Sequence, residues 1–206
     1  VNHLAHALLA GPDDALIAGS LLGDFWRGTP DPAWPRALAA GVRLHRRVDA
    51  STDSHAAVVR ARRLFAPPFR RYAGILLDVW FDHLLARDFA RWSGGESLRA
   101  FCDRCYAGLL RVLGGAAEGA PTAPPLPPVF RLYVSRIVQD DGLAAYVNRA
   151  HVEPVLARIS ARLARANPVE DALPILESLE RPLDAAFAAL IPDLIAFAAA
   201  ERRTLL

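Results

Sequence analysis

The chain has no lysine: all 24 of its basic side chains are arginine, set against 22 acids for a formal charge of +2 over 206 residues. So small a net charge, with no helix-turn-helix signature, argues against a nucleic-acid binder. Cysteine is equally scarce. Only Cys102 and Cys105 occur, which excludes a disulfide scaffold, and their lone C-x-x-C spacing lacks the two further ligands a zinc site needs. They read as small residues on a helix. No run of 18 apolar residues is free of charge, so no membrane span is expected. No signal-peptide pattern opens the sequence, which places the expected compartment in the cytoplasm. Period-2 alternation is missing, so no strand is expected. Gly114-Gly115 is not followed by Lys-Ser/Thr, which rules out a phosphate-cradling loop, and there is no G-x-S-x-G nucleophile elbow.

What is present favours helix. The hydrophobic fraction is 53%, much of it Ala and Leu. The reading is an all-α fold, one helical domain over residues 1–206. Helices are expected from Asn2 to about Leu9, from Pro12 to about Phe25 and from Pro35 to about Ala50. Ser51-Thr52-Asp53-Ser54 offers N-cap residues, so a break there should start a fourth helix reaching about Phe65. Pro67-Pro68 opens a long central helix that Gly94-Gly95 closes. Another covers about Glu96–Leu113, and the Gly-, Ala- and Pro-rich stretch of about 114–128 reads as a loop. Helices resume at Val129–Gln139, Leu143–Arg149, His151–Ala166, Val169–Glu180 and Leu183–Arg203, the last kinked at Pro192.

The central helix carries the first chemical signal. Asp78, Asp82 and His83 interrupt Leu76, Leu77, Val79, Trp80, Phe81, Leu84 and Leu85. An unpaired buried carboxylate costs several kcal/mol, so a protonated acid, a buried ion pair or a metal is required. Asp78 and Asp82 stand at i and i+4, with Cβ atoms roughly 6 Å apart. Three other places could join them: His6 on the first helix, Asp24 at the end of the second, and His45 with Asp49 on one face of the third. Imidazole and carboxylate together suit Mn²⁺, Fe²⁺ or Zn²⁺, and mostly oxygen ligands shift the choice towards Mn²⁺ or Mg²⁺. Such a cation lowers the pKa of bound water. The bland readings are a core histidine at His6, an Asp24–Arg27 pair, an ordinary i, i+4 pair at His45 and Asp49, and buried salt bridges from Asp78 and Asp82 to Arg46 or Arg47. Periodicity alone does not bring the four places together.

Charge is unevenly spread. Between Arg36 and Arg71 there are nine arginines against two acids, Asp49 and Asp53, a candidate surface for an anionic partner.

These residues in order resemble a known family. Asn2-His3-Leu4-Ala5-His6, then Leu22-Gly23-Asp24-Phe25-Trp26-Arg27-Gly28, then Gly41-Val42-Arg43-Leu44-His45-Arg46-Arg47-Val48-Asp49 with Thr52-Asp53, then Leu77-Asp78-Val79-Trp80-Phe81-Asp82-His83-Leu84-Leu85 look like the acyl carrier protein phosphodiesterases. The match covers roughly the first ninety residues, with Tyr146 and Leu190-Ile191-Pro192 as later echoes. The resemblance implies an HD-phosphohydrolase-like helical bundle, although this chain has Asp82-His83 where HD enzymes have His-Asp. It implies a divalent metal, Mn²⁺ preferred with Mg²⁺ or Fe²⁺ as alternatives. It implies hydrolysis of the phosphodiester joining 4′-phosphopantetheine to a serine of holo acyl carrier protein. The metal would fall to His45, Asp78 and Asp82, with Asp24 next and His83 or Asp49 as further candidates. Arg46 or Arg47 would hold phosphoryl oxygens, and His6 or His83 would supply the leaving group's proton. The carrier, an acidic protein, would dock on Arg43, Arg60, Arg62, Arg63, Arg70 and Arg71. Two other functions stay open: an HD-type hydrolase of a nucleotide or other small phosphoester, and a non-enzymatic helical module that binds an acidic protein.

Overall fold

The computed structural model describes residues 2–118 and 126–206, and among these there is no strand. The eleven helices found there are α1 (His3–Ala10), α2 (Asp14–Leu22), α3 (Arg36–Ser54), α4 (Ala56–Arg62), α5 (Ala73–Arg87), α6 (Phe89–Trp92), α7 (Leu98–Glu118), α8 (Pro128–Gln139), α9 (Val152–Ser160), α10 (Leu173–Ser178) and α11 (Glu180–Leu205). Helix α5 is the axis of the bundle. Eleven of its residues are buried, and it packs against α1, α4, α9 and α11.

Several boundaries differ from those the sequence suggests. The turn expected at 51–54 is the last turn of α3, because its polar residues find uses inside a helix. Thr52 is buried, Asp53 meets Arg62, and Ser54 Oγ bonds back to the carbonyl of Ala50. His55 ends α3 and caps α4, its Nδ1 accepting from the Ala57 amide at 3.2 Å. The central helix is divided: a 3₁₀ turn at Phe69–Tyr72 precedes α5, and Asp88 separates α5 from α6. Helix α7 continues to Glu118, so 114–118 are not loop; 119–125 of the expected loop lie outside the described residues. The helices expected at Leu143–Arg149 and in the first turns of His151–Ala166 and Val169–Glu180 contain short 3₁₀ turns instead. Helix α11 continues through Pro192. By length and hydropathy it is the one described helix that could cross a membrane, yet it packs along α1, α3, α4 and α5.

Two packing details place the functional face. Helices α2 and α3 touch backbone to backbone at Gly19 and Gly41: a Cβ on Gly19 would stand 2.1 Å from the Leu38 carbonyl oxygen, and one on Gly41 would stand 2.4 Å from that of Leu16. One turn on, a Cβ on Gly23 would fall 2.3 Å from the His45 ring. Glycines thus let α3 approach closely enough to set His45 beside the end of α2. Helix α1 is fixed by α5. The Asp82 carboxylate accepts the amides of Leu4 at 2.7 Å, Ala5 at 3.2 Å and Asn2 at 3.3 Å, and so caps α1 from a neighbouring helix.

Candidate metal centre

Helix α1 carries His6 and α3 carries His45 and Asp49, and their crossing brings the three together. His6 Nε2 is 3.1 Å from Asp49 Oδ1. His45 Nε2 is 3.1 Å from Asp49 Oδ2 and 3.4 Å from Asp24 Oδ1. Asp24 reaches onward, its Oδ2 standing 3.4 Å from His3 Nε2. The His6 and His45 rings stack with centroids 4.0 Å apart, and both residues are buried. Neither ring's Nδ1 has a hydrogen-bond partner. Each imidazole is therefore oriented entirely from its Nε2 side, where the carboxylates lie.

That side opens on a cavity of about 220 Å³. Four carboxylates line it: Asp24, Asp49, Asp53 and Asp78. Asn2, His6 and Thr52 complete the wall. No arginine is among the lining residues.

The electrostatics follow from burial working against pairing. Burial drives the His6 pKa down to about 4, and the hydrogen bond to Asp49 recovers only part of the loss. Burial also disfavours a charge on His45, but Asp24 and Asp49 outweigh it and push that ring up to about 9. Burial alone would raise Asp24 and Asp49; the facing imidazoles instead hold both well below the usual carboxylate range. Asp78 is raised by burial, with Asp49 and Asp53 adding like-charge repulsion. Pairing thus favours the charged form of His45, burial favours the neutral form of His6, and carboxylates outnumber the imidazoles they face.

The donor set fits a divalent cation. One atom each from His6, His45 and Asp49 lies within 4.8 Å of the others. Two imidazole nitrogens with carboxylate oxygen suit Mn²⁺, Fe²⁺ or Zn²⁺, and the surplus negative charge is what such an ion would neutralise.

The remaining residues singled out in the sequence are placed as follows. Asp78 lines the cavity, whereas Asp82, fully buried, turns to the α1 amides and does not line it. Burial pushes Asp82 up to about 6 against the pull of the Leu4 and Ala5 amides. His83 Nδ1 donates to the Tyr146 carbonyl at 2.8 Å, its ring lies against Trp80, and it too is away from the cavity wall. Arg46 donates to the Trp26 carbonyl at 2.8 Å and Arg47 pairs with Glu201, in place of the salt bridges to Asp78 and Asp82 that the sequence suggested for them. Arg62 pairs with Asp53 at 2.5 Å. Arg43, Arg60, Arg63, Arg70 and Arg71 are exposed and form no ion pair among the described residues. Exposed Val59 and Leu64 lie beside Arg60 and Arg63 in the chain. Cys102 and Cys105 are buried free thiols that burial pushes up to about 12.

Asn2, Thr52 and Asp53 on the cavity wall, and His3 beside Asp24, are residues to which the sequence reading gave no role in the site. The signal for Thr52 was its spacing, since 45, 49 and 52 share one helical face; reading it as an N-cap concealed that.

Residues 1–194 match the family model for acyl carrier protein phosphodiesterase. Similar proteins bearing that name occur in Pectobacterium atrosepticum, 34% identical over 162 residues (79% of this chain and 79% of the relative), and in Escherichia coli O157:H7, 31% identical over 196 residues (95% and 96%). A third, from Photorhabdus laumondii, is 30% identical over 187 residues (91% and 89%). No solved structure matches the chain.

Proposed function

This chain belongs to the acyl carrier protein phosphodiesterase family, and from that premise we propose that it is a metal-dependent hydrolase that removes 4′-phosphopantetheine from holo acyl carrier protein, leaving the apo carrier. The observation that carries the reading is the meeting of His6, His45 and Asp49 beside an acid-rich cavity that His6 and Asp49 line. His6, His45 and Asp49 would hold the cation, with Asp24 next in reach and Asp78 across the cavity; Mn²⁺ is the preferred ion. When bound, a divalent cation there supplies Lewis acidity towards a phosphoryl oxygen and activates water near neutral pH. Asp24 stands on the same Nε2 side of His45 as Asp49, at 3.4 Å, and reaches His3 with its other oxygen. Asp82 acts through α1, keeping His6 in register, and Arg46 acts through the Trp26 carbonyl, steadying the chain that follows Asp24.

The acidic carrier would dock on Arg43, Arg60, Arg63, Arg70 and Arg71, whose charges no acid of the described fold offsets. Arg62 would serve the cavity edge by holding Asp53. The reading includes one helical domain, kinship with the HD-type phosphohydrolases and a cytoplasmic setting.

Incubation of the purified protein with holo acyl carrier protein, with and without Mn²⁺, followed by intact-mass measurement of the carrier, tests this. The expected result is metal-dependent loss of the phosphopantetheine mass. An intact carrier beside a metal-loaded protein that cleaves small phosphodiesters would move the substrate to a small phosphoester. An intact carrier and no metal uptake would end the enzymatic reading.

A further inference from the structure

The cavity is rich in hydrogen-bond acceptors and short of donors. Its four carboxylates accept only. Asn2 Nδ2 spends one of its two N–H donors on the Tyr146 hydroxyl at 2.9 Å, and His6 Nε2 faces Asp49. Thr52 is different. It is 2% exposed, it lines the cavity, and its Oγ1 has no hydrogen-bond partner. A threonine inside a helix ordinarily bonds back to the carbonyl four residues earlier, here Val48, and Thr52 does not. Thr52 also lies seven residues after His45 and three after Asp49, on the helical face that carries both. A buried hydroxyl without a partner is unfavourable, so its place on this wall calls for a ligand.

We propose that Thr52 Oγ1 is a binding subsite for a non-bridging phosphoryl oxygen, donating its proton to the anion that the cation holds beside it. The inference rests on the phosphoester reading above and deepens it. A bound cation would neutralise the phosphoryl charge, and the Thr52 hydroxyl would fix the orientation of that group from the α3 side. Neutral and compact, the hydroxyl adds a donor without introducing a positive charge that would compete with the cation for the same carboxylates.

The test compares Thr52→Val, which keeps the shape and deletes the hydroxyl, with Thr52→Ser, which restores it. Three quantities are read: thermal midpoint, Mn²⁺ affinity, and the affinity of the Mn²⁺-loaded protein for inorganic phosphate by calorimetry. The expected result is an unchanged or higher midpoint for Thr52→Val and unchanged Mn²⁺ affinity. Phosphate binding should weaken by roughly 10-fold or more, the scale of one hydrogen bond to a charged group, and Thr52→Ser should restore most of it. In turnover of holo carrier the same variant should lose roughly 10–100-fold, mainly in kcat. Unaltered phosphate binding in Thr52→Val overturns the proposal. So does a loss of Mn²⁺ affinity, which would make the hydroxyl a cation ligand, or a lowered midpoint, which would make it structural. If the wild type leaves holo carrier intact while Thr52→Val still weakens phosphate binding, the subsite stands and the carrier reading falls.

Discussion

Asp82 and Asp49 are both acids drawn into a helical interior, and they are stabilised in opposite ways. Asp82 lies at the α1–α5 contact, fully buried, with three backbone amides around it. Its lone pairs are spent on the fold. Asp49 faces a cavity, with one histidine at each oxygen, and those histidines can give up protons or accept a metal in their place. Amides cannot exchange their proton for a cation; imidazoles can. A carboxylate in an apolar sequence therefore signals a functional centre only when its partners are themselves exchangeable.

The sharpest break of this contrast is at the histidines. His45→Ala should abolish tight Mn²⁺ binding and reduce turnover by more than the roughly 10–100-fold typical of losing an outer hydrogen-bond partner of a ligand. The loss of metal-free stability should be the lesser effect, about 1–3 kcal/mol near neutral pH, because Asp24 and Asp49 lose their shared imidazole. Calorimetric metal titration and steady-state kinetics check it, and retained Mn²⁺ affinity would remove His45 from the ligand set. Asp82→Ala should do the reverse. Leaving the amides of Asn2, Leu4 and Ala5 without their acceptor should destabilise the protein by about 2–4 kcal/mol, read from chemical denaturation, with Mn²⁺ binding retained by the folded fraction.

A milder probe is pH. The folded pKa of His45, about 9, is raised above the ordinary 6.5, so its stabilisation is complete below pH 6.5 and lost as pH rises through 9. Asp82, raised to about 6, loses its stabilisation as pH rises from its ordinary value near 4 through 6. His6, lowered to about 4, loses its own as pH falls below 6.5. Between pH 6.5 and 9, His45 is therefore the group among these that changes. The metal-free midpoint should fall across that window, by about 1–3 kcal/mol in stability after screening at the half-exposed carboxylates. The gain from added Mn²⁺ should grow over the same window as the competing proton leaves. A flat metal-free profile would contradict the pairing described for His45.

The smallest effect belongs to the outer surface. Arg60→Glu with Arg63→Glu should raise KM for holo carrier several-fold and flatten its salt dependence, while leaving kcat and Mn²⁺ affinity unchanged. Arg62 is unsuitable for this purpose because reversing it would strike Asp53 at the cavity edge.

The helical class was legible because Ala- and Leu-rich segments with Pro and Gly punctuation leave little room for strands. The pairing of His45 with Asp49 on one face of α3 was legible from their i, i+4 spacing, whereas the approach of His6 from α1 was not. The partner of Asp82 was not. Its amides lie 77–80 residues away, and backbone groups carry no mark in a sequence, so the choice among proton, ion pair and metal omitted the arrangement that occurs. The same blindness hid the Trp26 carbonyl that takes Arg46 and the Glu201 that takes Arg47. The 51–54 segment misled for a different reason: side chains favoured at caps also serve inside a helix when the cavity, Arg62 or a carbonyl one turn back receives them.

Helices as short as the eight residues of α1 usually fray, and their amide hydrogens exchange through local opening. The Asp82 anchor removes that route for α1. Releasing the Leu4 and Ala5 amides means tearing a carboxylate out of the centre of the bundle, so these two hydrogens should exchange at the rate of global unfolding, as slowly as those of α5. The helix that carries His6 would then wait for its ion already in position, and uptake of Mn²⁺ should leave the protection of its first turn almost unaltered apart from the overall gain in stability.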